Sequence, residues 1–113
     1  MTDEFLKELL DFSAVATFAI TPEHKVIYWN KSCEILTGVK SSDVLGTKNH
    51  WKPFYDHFRP CLADLVITGK YNILSELYEN FSESTLVEGG LHAEGWYENL
   101  GGKRRYIIFD ATP

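Results

Sequence analysis

Apolar side chains at Phe5, Leu6, Leu9 and Leu10, with Lys7, Glu8 and Asp11 between them, repeat at helical spacing and predict a short amphipathic helix over residues 3–12. Small, β-branched and aromatic residues fill 14–20, turn chemistry follows in Thr21-Pro22-Glu23-His24, and a second β-rich run covers 25–29. This pattern is a strand hairpin. Asn30 is a preferred N-cap, and Gly38 tolerates the left-handed stop, so a helix over 31–36 is bracketed. Ser41-Ser42-Asp43 offers caps for one further turn, ended by Gly46.

Between 53 and 68, Phe54, Phe58, Leu62, Leu65 and Val66 stand at helical spacing, with Pro60 dividing the run and Gly69 closing it. Ile73, Leu74, Leu77, Tyr78 and Phe81 continue the pattern and predict an amphipathic helix over 71–81. The last third is different. Runs 91–100 and 104–110 are β-rich and joined through Asn99-Leu100-Gly101-Gly102, a second hairpin. Alternation along the first run puts Leu91, Ala93, Gly95 and Tyr97 on the face toward the helices and His92, Glu94, Trp96 and Glu98 on the other. The order of strand pair, short helices, strand pair is an α+β fold with an antiparallel sheet.

At 113 residues, 44% hydrophobic and 24% charged, the chain is expected to be one globular domain, with the helix over 3–12 leading into a core from 14 to 113. Its formal charge of −5 argues against nucleic acid, the basic run Lys103-Arg104-Arg105 being too short to reverse it. No stretch has the length of a membrane span, and the acidic start Thr2-Asp3-Glu4 is unlike a signal peptide, so a cytoplasmic location without membrane contact is expected. Cys33 and Cys61 lack CxxC spacing and read as small half-buried hydrophobes in a reducing compartment. No nucleophile elbow, HExxH, phosphate-cradling glycine loop or framed carboxylate pair appears, so the chain is not expected to be an enzyme, although a small α+β enzyme is the rival class.

Val26-Ile27-Tyr28-Trp29-Asn30, Leu36-Thr37-Gly38, Asp43-Val44-Leu45-Gly46, Gly95-Trp96-Tyr97 and Tyr106-Ile107-Ile108-Phe109, in this order and spacing, resemble the PAS family over nearly the whole chain. The stretch from His50-Trp51-Lys52-Pro53-Phe54-Tyr55 through Arg59-Pro60-Cys61-Leu62-Ala63-Asp64-Leu65 is similar to a bacterial sensory subgroup attached to histidine kinases and diguanylate cyclases. The resemblance implies a five-stranded antiparallel sheet with helices across one face, a pocket between them for a small ligand, and regulation of an output domain on the parent chain. It also implies a last strand after the second hairpin. The sequence stops at Ala111-Thr112-Pro113, so that strand is expected to be lacking, leaving the edges 14–20 and 104–110 open and favouring a homodimer. A ligand-free dimerisation module is the alternative, with Phe5, Leu6 and Leu9 seeking a partner surface.

Trp29, Trp51, Tyr55, Tyr97 and Tyr106 are the candidate aromatic lining of the pocket, and Arg59 the candidate clamp for a carboxylate. His50 and His57 have the side chain of metal and haem ligands, but Pro53 separates them and no third or fourth ligand is spaced to complete a site, so no metal is assigned. Neither Ser32-Cys33-Glu34 nor Pro60-Cys61-Leu62 matches the reactive-cysteine motif of flavin photosensors. Haem and flavin are therefore not expected, and the identity of a ligand stays open.

Overall fold

Asn30 organises the first half. Completely buried, it caps α2 (Lys31–Thr37) by accepting from Cys33 N at 2.9 Å; the same Oδ1 accepts from Thr17 N, and its Nδ2 donates to Val15 O at 2.8 Å. The chain entering β1 (Phe18–Ile20) is thus held by a side chain where the pattern predicted strand from residue 14. β1 pairs antiparallel with β2 (Val26–Trp29), Phe18 opposite Trp29, with a bulge at Ala19/Ile20. Gly38 closes α2 at φ 76 as its sequence position predicts, and α3 (Ser41–Val44) is the expected single turn. The structure, a computed structural model, describes residues 3–113, without the side chains of Asp3, Leu6, Lys7 and Leu10. In α1 (Asp3–Asp11), Phe5 and Leu9 are exposed; the other two members of the predicted stripe, Leu6 and Leu10, lie outside the described side chains.

The middle departs from the helical reading. Residues 51–54 form a turn, 55–60 are irregular, and the helix α4 covers only Leu62–Thr68. Pro53 and Pro60 supply no N–H to a helical ladder, and Trp51 O accepts from both Phe54 N and Tyr55 N in a local turn instead. After a 3₁₀ turn (Tyr71–Ile73), α5 (Leu74–Leu77) stops at Tyr78, whose backbone is extended. Phe81 then lies in β3 (Asn80–Glu83) and not in a helix. The edge of β4 (Leu91–Leu100) decides this, because four residues of β3 pair along it from Asn80 opposite Glu94 to Glu83 opposite Leu91. Ladder hydrogen bonds outweigh a helical stripe whose last member is one aromatic residue.

The expected loss of a strand is corrected by the same finding. β5 (Lys103–Ala111) completes a count of five among the described residues, the unrecognised one being β3 in the stretch that reads as helix. The strands form two antiparallel sheets, β1–β2 and β3–β4–β5, rather than one, and each covers its own core. Val26, Trp29, Cys33 and Val44 are buried under the first; Leu62, Leu65, Leu74, Tyr78, Leu91 and Ala93 under the second. Each fully buried leucine such as Leu65 or Leu91 contributes about 2 kcal/mol from apolar area removed from water. The alternation predicted for β4 holds: Leu91 and Ala93 are buried, whereas Trp96 and Glu98 are exposed. At the tip of the β4–β5 hairpin Gly101 has φ +61 and abuts the end of α2, where a Cβ would run into the Leu36 carbonyl.

Candidate functional site

Beside Leu65 and Ile73 of the second core, a cavity of about 290 Å³ opens, close to the lower limit of ~300 Å³ usual for small-ligand pockets. Three distant segments deliver its polar wall: His24 from the β1–β2 turn, His50 from the connection after α3, and Asp64 from the first turn of α4. His24 is the only non-glycine described residue with positive φ, at 66°, in a turn closed by Thr21 N to Lys25 O at 2.8 Å. Asp64 is fixed by a reciprocal cap. Cys61 N donates to Asp64 Oδ2 at 2.8 Å while the Cys61 thiol accepts from the Asp64 backbone N–H.

On this fixed carboxylate the two imidazoles converge. His24 Nδ1 lies 2.6 Å from Oδ1 and His50 Nε2 lies 2.8 Å from Oδ2. An ionised carboxylate only accepts, so both rings turn an N–H toward it. Burial, the largest single influence, raises the Asp64 pKa, but the hydrogen bonds from His50, His24 and the Cys61 N–H together outweigh it and hold the carboxyl below its ordinary value. His50 is 2% exposed, and its other nitrogen, Nδ1, has no hydrogen-bond partner.

Arg59 forms a second polar wall. Its guanidinium lies 3.9 Å from the Tyr55 ring centroid and 4.7 Å from that of Tyr78, and Nη1 donates to Leu77 O at 2.9 Å. Nη2 is buried without a partner, and no carboxylate among the described residues pairs with the cation. The tyrosines bring no compensating charge. Tyr55 OH bonds Tyr78 OH at 3.1 Å and Tyr97 OH at 3.0 Å; burial raises the pKa of all three, that of Tyr78 to about 12, so they stay neutral phenols. With Lys48 and Lys70 also lining the cavity, three cations face one carboxylate in a chain of formal charge −5.

The sequence model described as PAS fold matches residues 4–88, from α1 past β3. The chain belongs to the PAS family. No curated protein and no solved structure matches it. PAS domains are sensory and signalling input modules and are generally non-catalytic. Among the described residues no helix is long and apolar enough to cross a membrane.

Of the six residues singled out from the sequence, this PAS domain brings Trp51 and Arg59 to the cavity. Tyr55 and Tyr97 stand behind Arg59 in the hydroxyl network. Trp29 is 3% exposed in the β1–β2 core, with Nε1 donating to Val39 O, and Tyr106 lies on the outer sheet face beside Trp96, its hydroxyl on Glu94. The two histidines weighed together separate: His50 is buried, whereas His57 is exposed and pairs only with its neighbour Asp56. Both cysteines are free and buried, and burial pushes the Cys33 thiol up to about 12. His24 and Asp64 were not singled out. The one local signal for Asp64 is an acid at the third position of a helix that follows Pro60, which identifies a cap and not a meeting point for two rings.

Proposed function

We propose that this PAS domain senses a small molecule with an anionic group, bound in the cavity beside Arg59, and relays its occupancy to an output domain on the parent chain. The half-buried guanidinium, whose Nη2 is buried without a partner, carries the reading. With Nη1 on Leu77 O and Nε on Pro60 O, Nη2 is the donor left for a carboxylate, and a half-buried cation held between two aromatic faces without a counter-charge gains from one. Trp51, Phe58, Leu65 and Ile73 give the apolar part of the cavity for the rest of the ligand. The output is a histidine kinase or diguanylate cyclase of a bacterial signalling protein, as the sequence similarity around residues 50–65 suggests. Two free, buried cysteines fit a reducing cytoplasm. The domain regulates rather than catalyses.

A thermal-shift screen of small carboxylates, backed by mass spectrometry of ligands extracted from the purified protein, tests this. Binders should raise the melting temperature of the native protein. Arg59→Ala and Tyr55→Ala should weaken them about tenfold or more, the loss of one charge-assisted pair. Ligand binding that neither substitution alters would refute the assignment. The preparation should be colourless, and a Soret or flavin band at near-stoichiometric occupancy would overturn that expectation.

A second reading, a ligand-free homodimerisation module, is favoured by one observation: Phe5, Leu9 and Phe12 are 50%, 52% and 84% exposed along α1 and its end. Light scattering separates the two. A dimer that extraction shows to be empty, and that no carboxylate stabilises, supports the second.

A further inference from the structure

We propose that His50, Cys61 and Asp64 form a binding site for a divalent transition metal of the zinc class, with the remaining coordination position on the cavity side, beside His24. The three side chains are buried, and their imidazole nitrogen, sulfur and carboxylate oxygen lie within 4.8 Å of one another. Ligand bonds of 2.0–2.3 Å place tetrahedral donors about 3.5 Å apart, so small side-chain shifts suffice.

Two of the three ligands are positioned by the backbone. Cys61 and Asp64 are the first and fourth residues of a reciprocal helix cap, which fixes thiol and carboxylate next to each other. The third, His50, is packed against the Phe18 ring, with centroids 5.7 Å apart. Its Nδ1 is buried without a hydrogen-bond partner, an arrangement that in a folded core calls for a reason such as an ion. His24 donates to the far oxygen of Asp64 and so acts as a positioning residue, as the outer partners of metal-bound carboxylates do.

The donor set also sets the choice of metal. One thiolate, one imidazole and one carboxylate suit Zn²⁺ or Co²⁺ and not the hard, all-oxygen coordination of Mg²⁺ or Ca²⁺. On binding, the thiol proton leaves to solvent, while the neutral imidazole offers the lone pair of one ring nitrogen and keeps its single N–H on the other. Thiolate and carboxylate then cancel the dication, so Lys48, Arg59 and Lys70 face a neutral centre. The site is independent of any anionic ligand, and the metal alone is the probe.

Co²⁺ added to chelator-treated protein should give, at one equivalent, the intense visible bands of a tetrahedral ion together with a thiolate-to-cobalt band in the near ultraviolet, both erased by Zn²⁺. Cys61→Ser should lose the thiolate band, and Cys33→Ser should keep it. His24→Asn, which suits the left-handed turn, should retain the band but weaken metal affinity 10- to 100-fold. Circular dichroism verifies that each variant is folded. If Cys61→Ser is not, His50→Gln replaces it and should lower affinity by at least as much as His24→Asn. Absence of both bands, a thiolate band that follows Cys33, or affinity unchanged in His24→Asn would each overturn the proposal. A failed carboxylate screen beside a positive cobalt titration would leave the metal site standing and remove only the anionic ligand.

Discussion

Two clusters in this molecule pair imidazoles with carboxylates at similar distances. In the cavity wall, Asp64 sits between His24 and His50 at 2.6 and 2.8 Å; on the outer face of the second sheet, His92 sits between Glu94 and Asp110, both at 2.8 Å. Their settings differ. The Asp64 and His50 side chains are 11% and 3% exposed, whereas Glu94 and Asp110 are 33% and 68% exposed. The outer cluster comes from one hairpin, His92 opposite Asp110 and Glu94 two residues along, so removing it unties nothing. The inner cluster joins segments 14 and 40 residues apart and belongs to both halves of the fold. Water screens the outer set throughout and reaches the inner set only on the side of His24, which is 30% exposed, so similar geometry carries unequal energy.

The largest test is removal of the central group. Asp64→Ala strips two rings and the Cys61 N–H of their acceptor and should cost about 3 kcal/mol in urea unfolding. Glu94→Gln, at the exposed site, should leave the unfolding midpoint unchanged within error. Equal losses at both positions would break the comparison.

The two stacked arginines repeat the contrast on a smaller scale. Arg59 is enclosed by Tyr55 and Tyr78, while Arg104 lies 3.8 Å from the Trp96 centroid on the open face. Arg59→Met should cost about 2 kcal/mol and Arg104→Met about 0.5 kcal/mol by the same unfolding assay.

Dependence on pH separates the clusters by sign. Asp64 has a depressed folded pKa, so its contribution is complete above its ordinary 3.8 and is lost as pH falls through the folded value. For His92 the hydrogen bond to Glu94, then that to Asp110, raises the pKa; its contribution is complete below 6.5 and is lost as pH rises through the raised value. Glu94 is depressed chiefly by His92 and loses its contribution in acid. Melting curves carried from alkaline pH to well below 3.8 should show that Asp64→Ala removes only acid-side dependence. His92→Gln should flatten a shallow slope on both sides. The smallest effect is that of salt: near 1 M the Debye length is about 3 Å, so the NMR titration midpoint of His92 should return toward 6.5, while the stability difference of Asp64→Ala persists.

What was legible in the sequence follows the range of the forces involved. Asn30 as a cap, Gly38 as a stop and the alternation along β4 are decided within a few residues and appear as read. The 71–81 stretch was misread because Leu74, Leu77 and Tyr78 do obey helical spacing, and only the free edge of β4, ten residues further on, draws Phe81 into a strand. Residues 53–60 failed as helix through two prolines whose missing N–H groups outweigh an apolar pattern. His24 and Asp64 carried no signal of their meeting, since it exists only once the β1–β2 turn is laid against α4. Arg59 was found for its neighbours in sequence, the aromatic residues that also enclose it in space.

Gly101 under the Leu36 carbonyl makes the β4–β5 hairpin a ruler. Its tip meets the end of α2 with no space left for even one methyl group. Adding one residue to each strand would advance the tip by about 3.4 Å into that helix end and push the two halves apart. The turn between β3 and β4 is tight only at its base, where a Cβ on Gly90 would meet Ser84; at its tip Leu86 is 93% exposed, and the chain can lengthen into solvent there. The fold therefore sets the span of one hairpin to the ångström and leaves the neighbouring connection free to vary.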